Sequence, residues 1–475
     1  MPSYASGGTH KPTSAGGRMS YSRRLCRPSF LSVFLTVSWE TDSTMPISTA
    51  LSAKLRMLQR SRPSGASEQA SAIRRASYGN VWHMKILAVH NRYQQPGGED
   101  EVFLAETTLL ESYGHRVVRY STHNDRVADM NRLALAANTL WNTSTYQELR
   151  ALIRRERPHV AHFHNIFPLV SPAGYYAARA EGVPVVQTLH NYRLLCPNAL
   201  FFRDGRACED CMGKVLTWPG IVHKCYRGSR AASGLVTAML TTHRALGTWT
   251  KMVDVYIALT EFARRKFIEG GLPAEKLIVK PNFVYPDPGP GEGGGGYALF
   301  VGRLSPEKGV GTLLAAWERL DRGLPLKVVG DGPLREQAAE AGKRHPWVEY
   351  LGYRPAEEVH ALLQEASVLV FPSEWYETFG RVTAEAFAAG TPIIVADIGA
   401  ATELVEHGRT GLKFRPGDPE DLAAQVGWFI SHPEEHARMR REVRAEYEAK
   451  YTAERNYRAL MEIYEAALER KRVPA

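Results

Sequence analysis

The chain has no long hydrophobic run, because nowhere do 18 or more apolar residues follow one another. About 20 such residues are needed to cross a bilayer, so we predict no transmembrane helix. The composition is otherwise that of a globular protein, with 44% hydrophobic and 23% charged residues. This mixture excludes a collagen-like or fully disordered chain, and 475 residues are enough for a core of normal size.

The part of the chain after residue 83 also has almost no net charge. The net charge is +9, but residues 1–83 hold 11 Lys and Arg against 3 Asp and Glu, whereas the rest holds 48 against 47. A nucleic-acid-binding domain needs a basic surface. We therefore expect no nucleic-acid partner.

Residues 1–83 are rich in Ser and Arg and show no sustained periodicity. Three interpretations are open: a transit peptide, a secretory signal without a clear cleavage site, or residues outside the functional protein. Met84 opens a strand that suits the start of a Rossmann-type domain, so we favour the third. We predict that 1–83 is a disordered or non-native extension.

From Met84 onward, short apolar strands alternate with helical segments, and a Pro- and Gly-rich stretch at 285–296 interrupts the pattern. This alternation predicts two α/β domains, each a doubly wound parallel sheet, facing a central cleft. The predicted parts are a first domain at 84–284, a linker at 285–296, a second domain at 297–450 and a C-terminal helix at 451–475. Packing of that helix back against the first domain is a further expectation.

The clearest chemical signal follows the first strand of the second domain. Residues 302–309 read Gly-Arg-Leu-Ser-Pro-Glu-Lys-Gly. Gly302 lets the main chain approach a ligand. Arg303 and Lys308 are placed to bind a diphosphate, the arginine as a planar fork and the lysine as a point charge. Taken alone, the segment could also be a solvated basic loop.

Two glutamates lie near a second predicted helix start. Glu377 stands in a loop, and Glu385 lies in the helix that begins near Gly380. Eight residues of helix rise about 12 Å, enough to bring carboxylates to two parts of a nucleotide-sugar. Free amides at the helix start would face its phosphates. A surface helix with two unrelated acids is the alternative.

Taken together, these segments resemble glycosyltransferase family 4, retaining enzymes with the GT-B fold. The glutamate pair matches the family's Glu-x7-Glu motif. The resemblance extends over most of residues 84–470 and includes the segments at 302–309, 329–333, 351–352, 371–373, 377–380, 385–392 and 408–411. Seven segments in this order are far more specific than any one of them.

The resemblance implies the donor site. Arg303 and Lys308 would hold the donor diphosphate and stabilise the departing nucleoside diphosphate, and Glu377 would contact the donor sugar. Further donor contacts are implied for Gly302, the main-chain amides of Phe379 and Gly380, Val382 at the nucleoside and Glu385 at the ribose.

In the first domain, Gly97 and Gly98 match the family's glycine loop near the first strand. His190 matches a histidine that follows a strand and faces the transferred sugar. The end of a strand is a suitable place for such a residue, although a histidine there is often structural. We predict His190, Arg303, Lys308 and Glu377 as catalytic.

The implied reaction is glycosyl transfer with retention from a nucleotide-sugar to a glycan or lipid-linked acceptor, in surface polysaccharide or glycolipid synthesis. We find no Asp-x-Asp motif, so no catalytic metal is expected. The alternatives are a non-catalytic scaffold or carbohydrate-binding protein of this fold, and a GT-B-fold nucleotide-sugar epimerase. We expect a cytoplasmic location, with peripheral attachment to the inner face of a membrane through the basic stretch at 227–230 as a further expectation.

Four of the five cysteines form an insertion in the first domain, at Cys196, Cys208, Cys211 and Cys225. The spacing C-x11-C-x2-C-x13-C can close a tetrahedral zinc site. We predict structural zinc there. An iron–sulfur cluster, disulfides and free thiols are the alternatives.

Overall fold

The computed structural model describes residues 83–94, 97–320 and 323–472. The expectation of disorder at 1–83 falls outside this part of the chain, His83 excepted. The strands are β1 Lys85–Arg92, β2 Arg116–His123, β3 Val160–Asn165, β4 Val185–Thr188, β5 Phe202–Arg203, β6 Arg206–Ala207, β7 Val255–Ala258, β8 Leu277–Val279, β9 Ala298–Val301, β10 Leu326–Val329, β11 Val348–Gly352, β12 Val368–Phe371, β13 Ile393–Ala396 and β14 Gly411–Phe414. The α-helices are α1 Gly98–Ser112, α2 Arg132–Leu140, α3 Thr143–Glu156, α4 Ala173–Ala180, α5 Trp218–Val222, α6 Arg230–Ala245, α7 Thr248–Lys251, α8 Glu261–Glu269, α9 Val310–Arg319, α10 Arg335–Arg344, α11 Ala356–Glu365, α12 Arg381–Ala388, α13 Ala400–Leu404, α14 Pro419–Ser431, α15 Pro433–Lys450 and α16 Ala453–Arg472.

Twelve of these strands form two six-stranded sheets in which every pair is parallel, and β5 and β6 form a separate two-stranded antiparallel sheet. The first has the order β2-β1-β3-β4-β7-β8. The second has the order β11-β10-β9-β12-β13-β14. The prediction of two doubly wound, Rossmann-like parallel sheets is therefore confirmed. The sequence pattern did not predict β8 and β14, short edge strands of three and four residues, or the two-residue strands β5 and β6.

The central strands are buried along their whole length, as in β3, β4, β7, β12 and β13. Near-continuous apolar strands are expected where helices cover both faces of a parallel sheet. Two apolar clusters pack on the two faces of the first sheet, and two more on those of the second.

The C-terminal segment comprises two helices, α15 and α16, because the helical conformation is interrupted at Tyr451 and Thr452. The bridge from Thr452 to Val284 and the hydrogen bond from the Val284 amide to the Tyr451 oxygen hold this break. We call the part of the chain that forms the first sheet the first half, and the part that forms the second sheet the second half. α15 packs in the second half through residues such as Val443. α16 returns to the first sheet, where residues at helical spacing, Tyr457, Leu460, Tyr464 and Ala467, join the core with β1, β3 and β7.

Residues 285–296 contain no helix or strand, but they follow the second half closely. The amides of Gly291, Gly293 and Gly295 donate to the oxygens of Ala389, Gln364 and Glu365, at 2.9, 3.0 and 2.9 Å. This segment is therefore tied to the ends of α11 and α12. Among the helices described, none has the length and apolar character needed to cross a membrane.

Candidate active site

The two motif loops of the second half leave neighbouring strands. β9 and β12 pair with each other at the point where the strand order reverses. In doubly wound sheets, ligands bind outside the carboxyl ends of the strands at such a switch point. The loop at 302–308 follows β9, and the loop at 372–380 follows β12. Both therefore lie where a ligand is expected.

These loops approach one another so closely that glycine is required. Gly309 has a φ of +68°, and a Cβ there would lie 1.9 Å from the main-chain oxygen of Pro372. Gly330 has a φ of +139°, and a Cβ there would lie 1.9 Å from the oxygen of Gly302. Only glycine fits such positions. Main-chain packing thus fixes the loop that carries Lys308.

Lys308 and Glu377 form an ion pair between the two loops. The lysine Nζ lies 2.5 Å from the glutamate Oε1. Ser373 Oγ and Trp375 Nε1 also donate to this oxygen, at 2.9 and 2.8 Å. Glu377 is buried, whereas Lys308 is partly exposed. Three donors therefore hold the carboxylate in one orientation. Arg303, also predicted here, lies exposed on the same loop.

The predicted residues around α12 differ in exposure. Phe379 is buried against the core, Val382 is partly buried, and Gly380 caps the helix with a φ of +79°. Glu385 is buried and accepts a hydrogen bond from Arg381 Nε at 2.7 Å. The partner of this predicted ribose ligand is therefore an arginine one turn earlier on the same helix.

In the first half, His190 follows β4 and is buried. Burial lowers the pKa of His190 well below its ordinary value, and the neighbouring His164 and His90 act in the same direction. The imidazole is therefore neutral at pH 7. His164 Nδ1 lies 3.1 Å from His190 Nε2, and both residues line one cavity with Asn165 and Asn191.

The predicted glycine loop lies at the end of β1. Gly97 caps α1, which begins at Gly98. The Gly97 amide donates to Asp100 Oδ2 at 2.9 Å, and Asp100 Oδ1 lies 2.9 Å from His90 Nε2. The start of α1 is thereby tied to β1. Both glycines therefore lie where the chain leads from the carboxyl end of β1 into the first turn of α1.

Hydrogen bonds join the two halves at the site. Thr378 Oγ1 donates to the main-chain oxygen of His190 at 2.8 Å, and Tyr192 OH donates to that of Glu377 at 3.4 Å. Farther away, the Glu403 carboxylate accepts hydrogen bonds from the first amides of α8, at 2.9 and 2.7 Å. The structure thus brings His190 and the Glu377 loop together.

Two further residues, Glu99 and Asn191, meet beside His190 and were not predicted from the sequence. Asn191 Nδ2 donates to Glu99 Oε1 at 2.7 Å, and Glu99 Oε2 is buried without a hydrogen-bond partner among the described residues. Burial raises the pKa of Glu99. Their positions in the sequence could have indicated them, since Glu99 directly follows Gly98 and Asn191 directly follows His190.

A single small cavity is lined by all four of these cysteines, which are free thiols: Cys196, Cys208, Cys211 and Cys225. Their sulfurs do not form a closed metal site. Within the described residues, Glu106, His162 and His164 are the one set of three or more candidate ligands whose atoms lie within 4.8 Å of one another. The cysteines are thus neighbours, but their side chains do not have the spacing of a tetrahedral zinc site.

Two family models match adjoining parts of the chain. The model described as a glycosyl transferase 4-like domain matches residues 65–282, and the model described as glycosyl transferases group 1 matches residues 290–446. The first match covers the first sheet and begins within the predicted extension. The second covers the second sheet and most of α15.

Curated relatives include several sugar-transferring enzymes. The chain is 35% identical over 182 residues to the glycogen synthase of Mycobacterium tuberculosis, covering 37% of this chain and 44% of that protein. It is 36% identical over 163 residues to a D-rhamnosyltransferase of Pseudomonas aeruginosa, covering 33% and 42%. The chain thus spans less than half the length of these relatives. It is 29% identical to the 2-deoxystreptamine glucosyltransferase of Streptomyces kanamyceticus, covering 62% and 74%.

Solved structures share the fold. Anabaena HepE in complex with UDP-glucose aligns with a TM-score of 0.58 at 20% identity, covering 81% of this chain and 100% of that one. Sucrose-phosphate synthase from Thermosynechococcus elongatus aligns with a TM-score of 0.60 at 15% identity, covering 80% and 98%. At such identities, the likeness concerns the fold.

Proposed function

Since the chain belongs to the GT-B glycosyltransferases, with a group 1 second half and a family 4-like first half, we propose that it transfers a sugar from a nucleotide-sugar, with retention. The acceptor is a hydroxyl of a glycan or lipid-linked acceptor, in surface polysaccharide or glycolipid synthesis. The observation that carries this proposal is the Lys308–Glu377 pair. It lies at the switch point of the second sheet, on the loop whose Thr378 hydroxyl bonds to His190.

The donor diphosphate binds at the loop that follows β9. Arg303 is exposed there and Lys308 is partly exposed, so both cations can reach a ligand in the cleft. Lys308 has Glu377 as its partner, and Glu385 has Arg381. Donor binding exchanges these partners: Lys308 turns to the diphosphate, Glu377 to the sugar hydroxyls and Glu385 to the ribose.

The remaining donor contacts are close to the main chain. Gly302 and the amides of Phe379 and Gly380 approach the diphosphate and the sugar, and Val382 packs on the nucleoside. Amides at the start of α12 favour negative charge, because they have no partners within the helix. UDP-glucose is a ligand of the structurally similar HepE, which supports a nucleotide-sugar as the donor class.

In the reaction, the acceptor hydroxyl attacks the anomeric carbon on the face from which the diphosphate leaves. The bond to the diphosphate breaks, the new glycosidic bond forms, and the diphosphate oxygen takes the proton of the hydroxyl. Arg303 and Lys308 stabilise the leaving group's charge. Catalysis therefore rests on positioning and on fixed cations.

We also propose that Cys196, Cys208, Cys211 and Cys225 hold a structural Zn²⁺. Their common cavity supports this, and the sulfurs must move closer together to bind the ion. The metal would order the insertion beside the first-half cleft and take no part in transfer.

The experiment is a screen of the full chain with UDP-, GDP-, ADP- and dTDP-sugars, measuring release of nucleoside diphosphate. Slow release with one donor, and an anomeric configuration retained in the product, support the proposal. Conversion of the donor sugar without release indicates an epimerase. A folded chain that neither binds nor consumes any donor contradicts the proposal and favours a scaffold.

A further inference from the structure

A chain of buried polar contacts runs from His190 into the first half. His190 Nε2 lies 3.1 Å from His164 Nδ1, and His164 Nε2 lies 3.4 Å from Glu106 Oε1. The other oxygen of Glu106 lies 2.9 Å from Lys280 Nζ. All four side chains are at most 9% exposed. This series of contacts thus links a predicted catalytic histidine to a buried ion pair.

Neighbouring groups hold this network in place from three sides. His162 Nδ1 lies 3.3 Å from Glu106 Oε1, and its Nε2 lies 2.8 Å from Thr188 Oγ1. From α16, Tyr464 OH lies 2.9 Å from His162 Nδ1, and Asn456 Oδ1 accepts from Lys280 at 2.5 Å. The C-terminal helix therefore completes the network.

The charges determine where the hydrogens lie. Burial alone would raise the pKa of Glu106, but the Lys280 ammonium and the neighbouring histidines outweigh it and hold that pKa well below its ordinary value. Glu106 is therefore a carboxylate, which accepts hydrogen bonds and donates none. Burial also lowers the pKa of His164 and His190, so both rings are neutral at pH 7.

A neutral imidazole carries one hydrogen, and the partner of one nitrogen decides which nitrogen has it. His164 Nε2 lies 3.4 Å from Glu106 Oε1, and because the negative carboxylate would repel the lone pair of a bare nitrogen, we place the hydrogen of His164 on Nε2. His164 Nδ1 is then an acceptor. His190 Nε2 faces that acceptor and must donate, which leaves Nδ1 as the acceptor of His190.

We propose that Glu106 and His164 are positioning residues that fix His190 in the tautomer with hydrogen on Nε2. His190 then offers Nδ1 as an acceptor for a hydroxyl of the transferred sugar or of the acceptor. This inference rests on the proposed function, because it takes His190 to face a sugar. It predicts that a donor or acceptor without that hydroxyl is transferred poorly, since the analogue cannot donate to Nδ1.

The test combines histidine ¹⁵N NMR on the full chain with kinetics. His243 is an internal reference, because its Nε2 lies 2.8 Å from the main-chain oxygen of Leu140 and must carry hydrogen. The expected result is a neutral His190 with hydrogen on Nε2. A wild-type His190 with hydrogen on Nδ1 overturns the inference.

For kinetics, His164→Phe removes the acceptor, whereas His164→Asn keeps a side-chain oxygen near the place of Nδ1. We expect His164→Phe to lose the tautomer and to lower kcat about 10-fold or more, with little change in the donor KM. His164→Asn restores both the tautomer and most of kcat. His243→Gln, which removes a buried imidazole outside the network, keeps the wild-type kcat.

A folded His164→Phe variant with wild-type kcat overturns the inference. Glu106→Gln with Lys280→Met removes the charges together, so that no buried charge is left alone. We expect that double variant to populate both tautomers of His190. A wild-type chain that transfers no sugar contradicts the proposed function. In that case the NMR measurement still tests whether Glu106 and His164 fix the hydrogen of His190 on Nε2.

Discussion

Thr378 Oγ1 donates a hydrogen bond to the main-chain oxygen of His190 at 2.8 Å, across 188 positions of sequence. Thr378 is the neighbour of Glu377 in the second half, and His190 follows β4 in the first. This contact therefore sets the distance between the two predicted catalytic groups.

Removing the charge of either member of the Lys308–Glu377 pair should abolish transfer. Glu377→Gln keeps the shape of the side chain but loses the carboxylate that Lys308, Ser373 and Trp375 hold. We expect kcat/KM to fall at least about 100-fold, as is typical for loss of a charged group at a transition state. Release of nucleoside diphosphate measures the effect.

Glu336→Gln is the matched control, since it makes the same change at an exposed residue of α10. It should retain wild-type activity. A folded Glu377→Gln variant with full activity would refute the role of Glu377.

Thr378→Val tests the contact between the halves. The variant keeps the shape of the buried side chain but leaves the oxygen of His190 without this donor, which costs about 1 kcal/mol. If the contact positions the catalytic groups, kcat falls about fivefold while affinity for the nucleotide stays unchanged. Thr378→Ser retains the hydroxyl and should behave like the wild type. Equal kcat in the Val and Ser variants would show that the contact does not serve catalysis.

The buried histidines make the first half sensitive to acid. Burial lowers the pKa values of His162, His164 and His190 below the ordinary 6.5. Below pH 6.5 the unfolded chain therefore binds more protons than the folded one, and stability falls as the pH falls. The pKa of Glu106 is also lowered, because Lys280 outweighs burial, so its contribution is lost in turn at lower pH.

Urea unfolding at pH 7.5 and 5.5 measures this loss. One buried neutral histidine contributes about 1.4 kcal/mol over that interval. His162→Gln should reduce the loss by about that amount. His407→Gln, at an exposed residue, should leave it unchanged. If the free energy of unfolding depends on pH identically in the wild type and both variants, His162 takes up no extra proton when the chain unfolds. That result would contradict the prediction.

Metal analysis tests the proposed zinc site at the four cysteines. We expect one zinc per chain and a lower content in Cys211→Ser, because Cys211 is buried in the common cavity. Chelation should lower the melting temperature. Cys26→Ser is the control, since Cys26 lies outside both the insertion and the described residues. If the purified protein contains no metal and added Zn²⁺ does not change its stability, the zinc proposal is wrong. The four cysteines are then free thiols with a structural role.

The fold could be predicted because its signals are local. Apolar strands such as β12 and β13 read as buried runs, and glycine and proline mark the loops between them. The motif loops were found for the same reason, since each follows a strand directly. The contact that holds the break between α15 and α16 was not predicted, because it joins Tyr451 and Thr452 to Val284, far away in sequence.

The network behind His190 could not be predicted. Lys280 and Glu106 read as surface residues, because such charges are seldom fully buried unless paired. Their pairing spans 174 positions, and Asn456 joins from α16. The cysteine spacing indicated a closed metal site, but spacing does not determine side-chain conformation, and among the described residues no three of these sulfurs lie within 4.8 Å of one another.

The donor site is tested most directly by equilibrium binding of UDP, GDP, ADP and dTDP to the folded full chain and to Lys308→Met. We expect one nucleotide family to bind and to stabilise the wild type by about 3 kcal/mol at 100 times its dissociation constant. The Lys308→Met variant should bind it at least about 10-fold more weakly, since a cation at the diphosphate is lost. A folded wild-type chain that binds none of the four, or a variant that binds as tightly as the wild type, would contradict the proposed donor site.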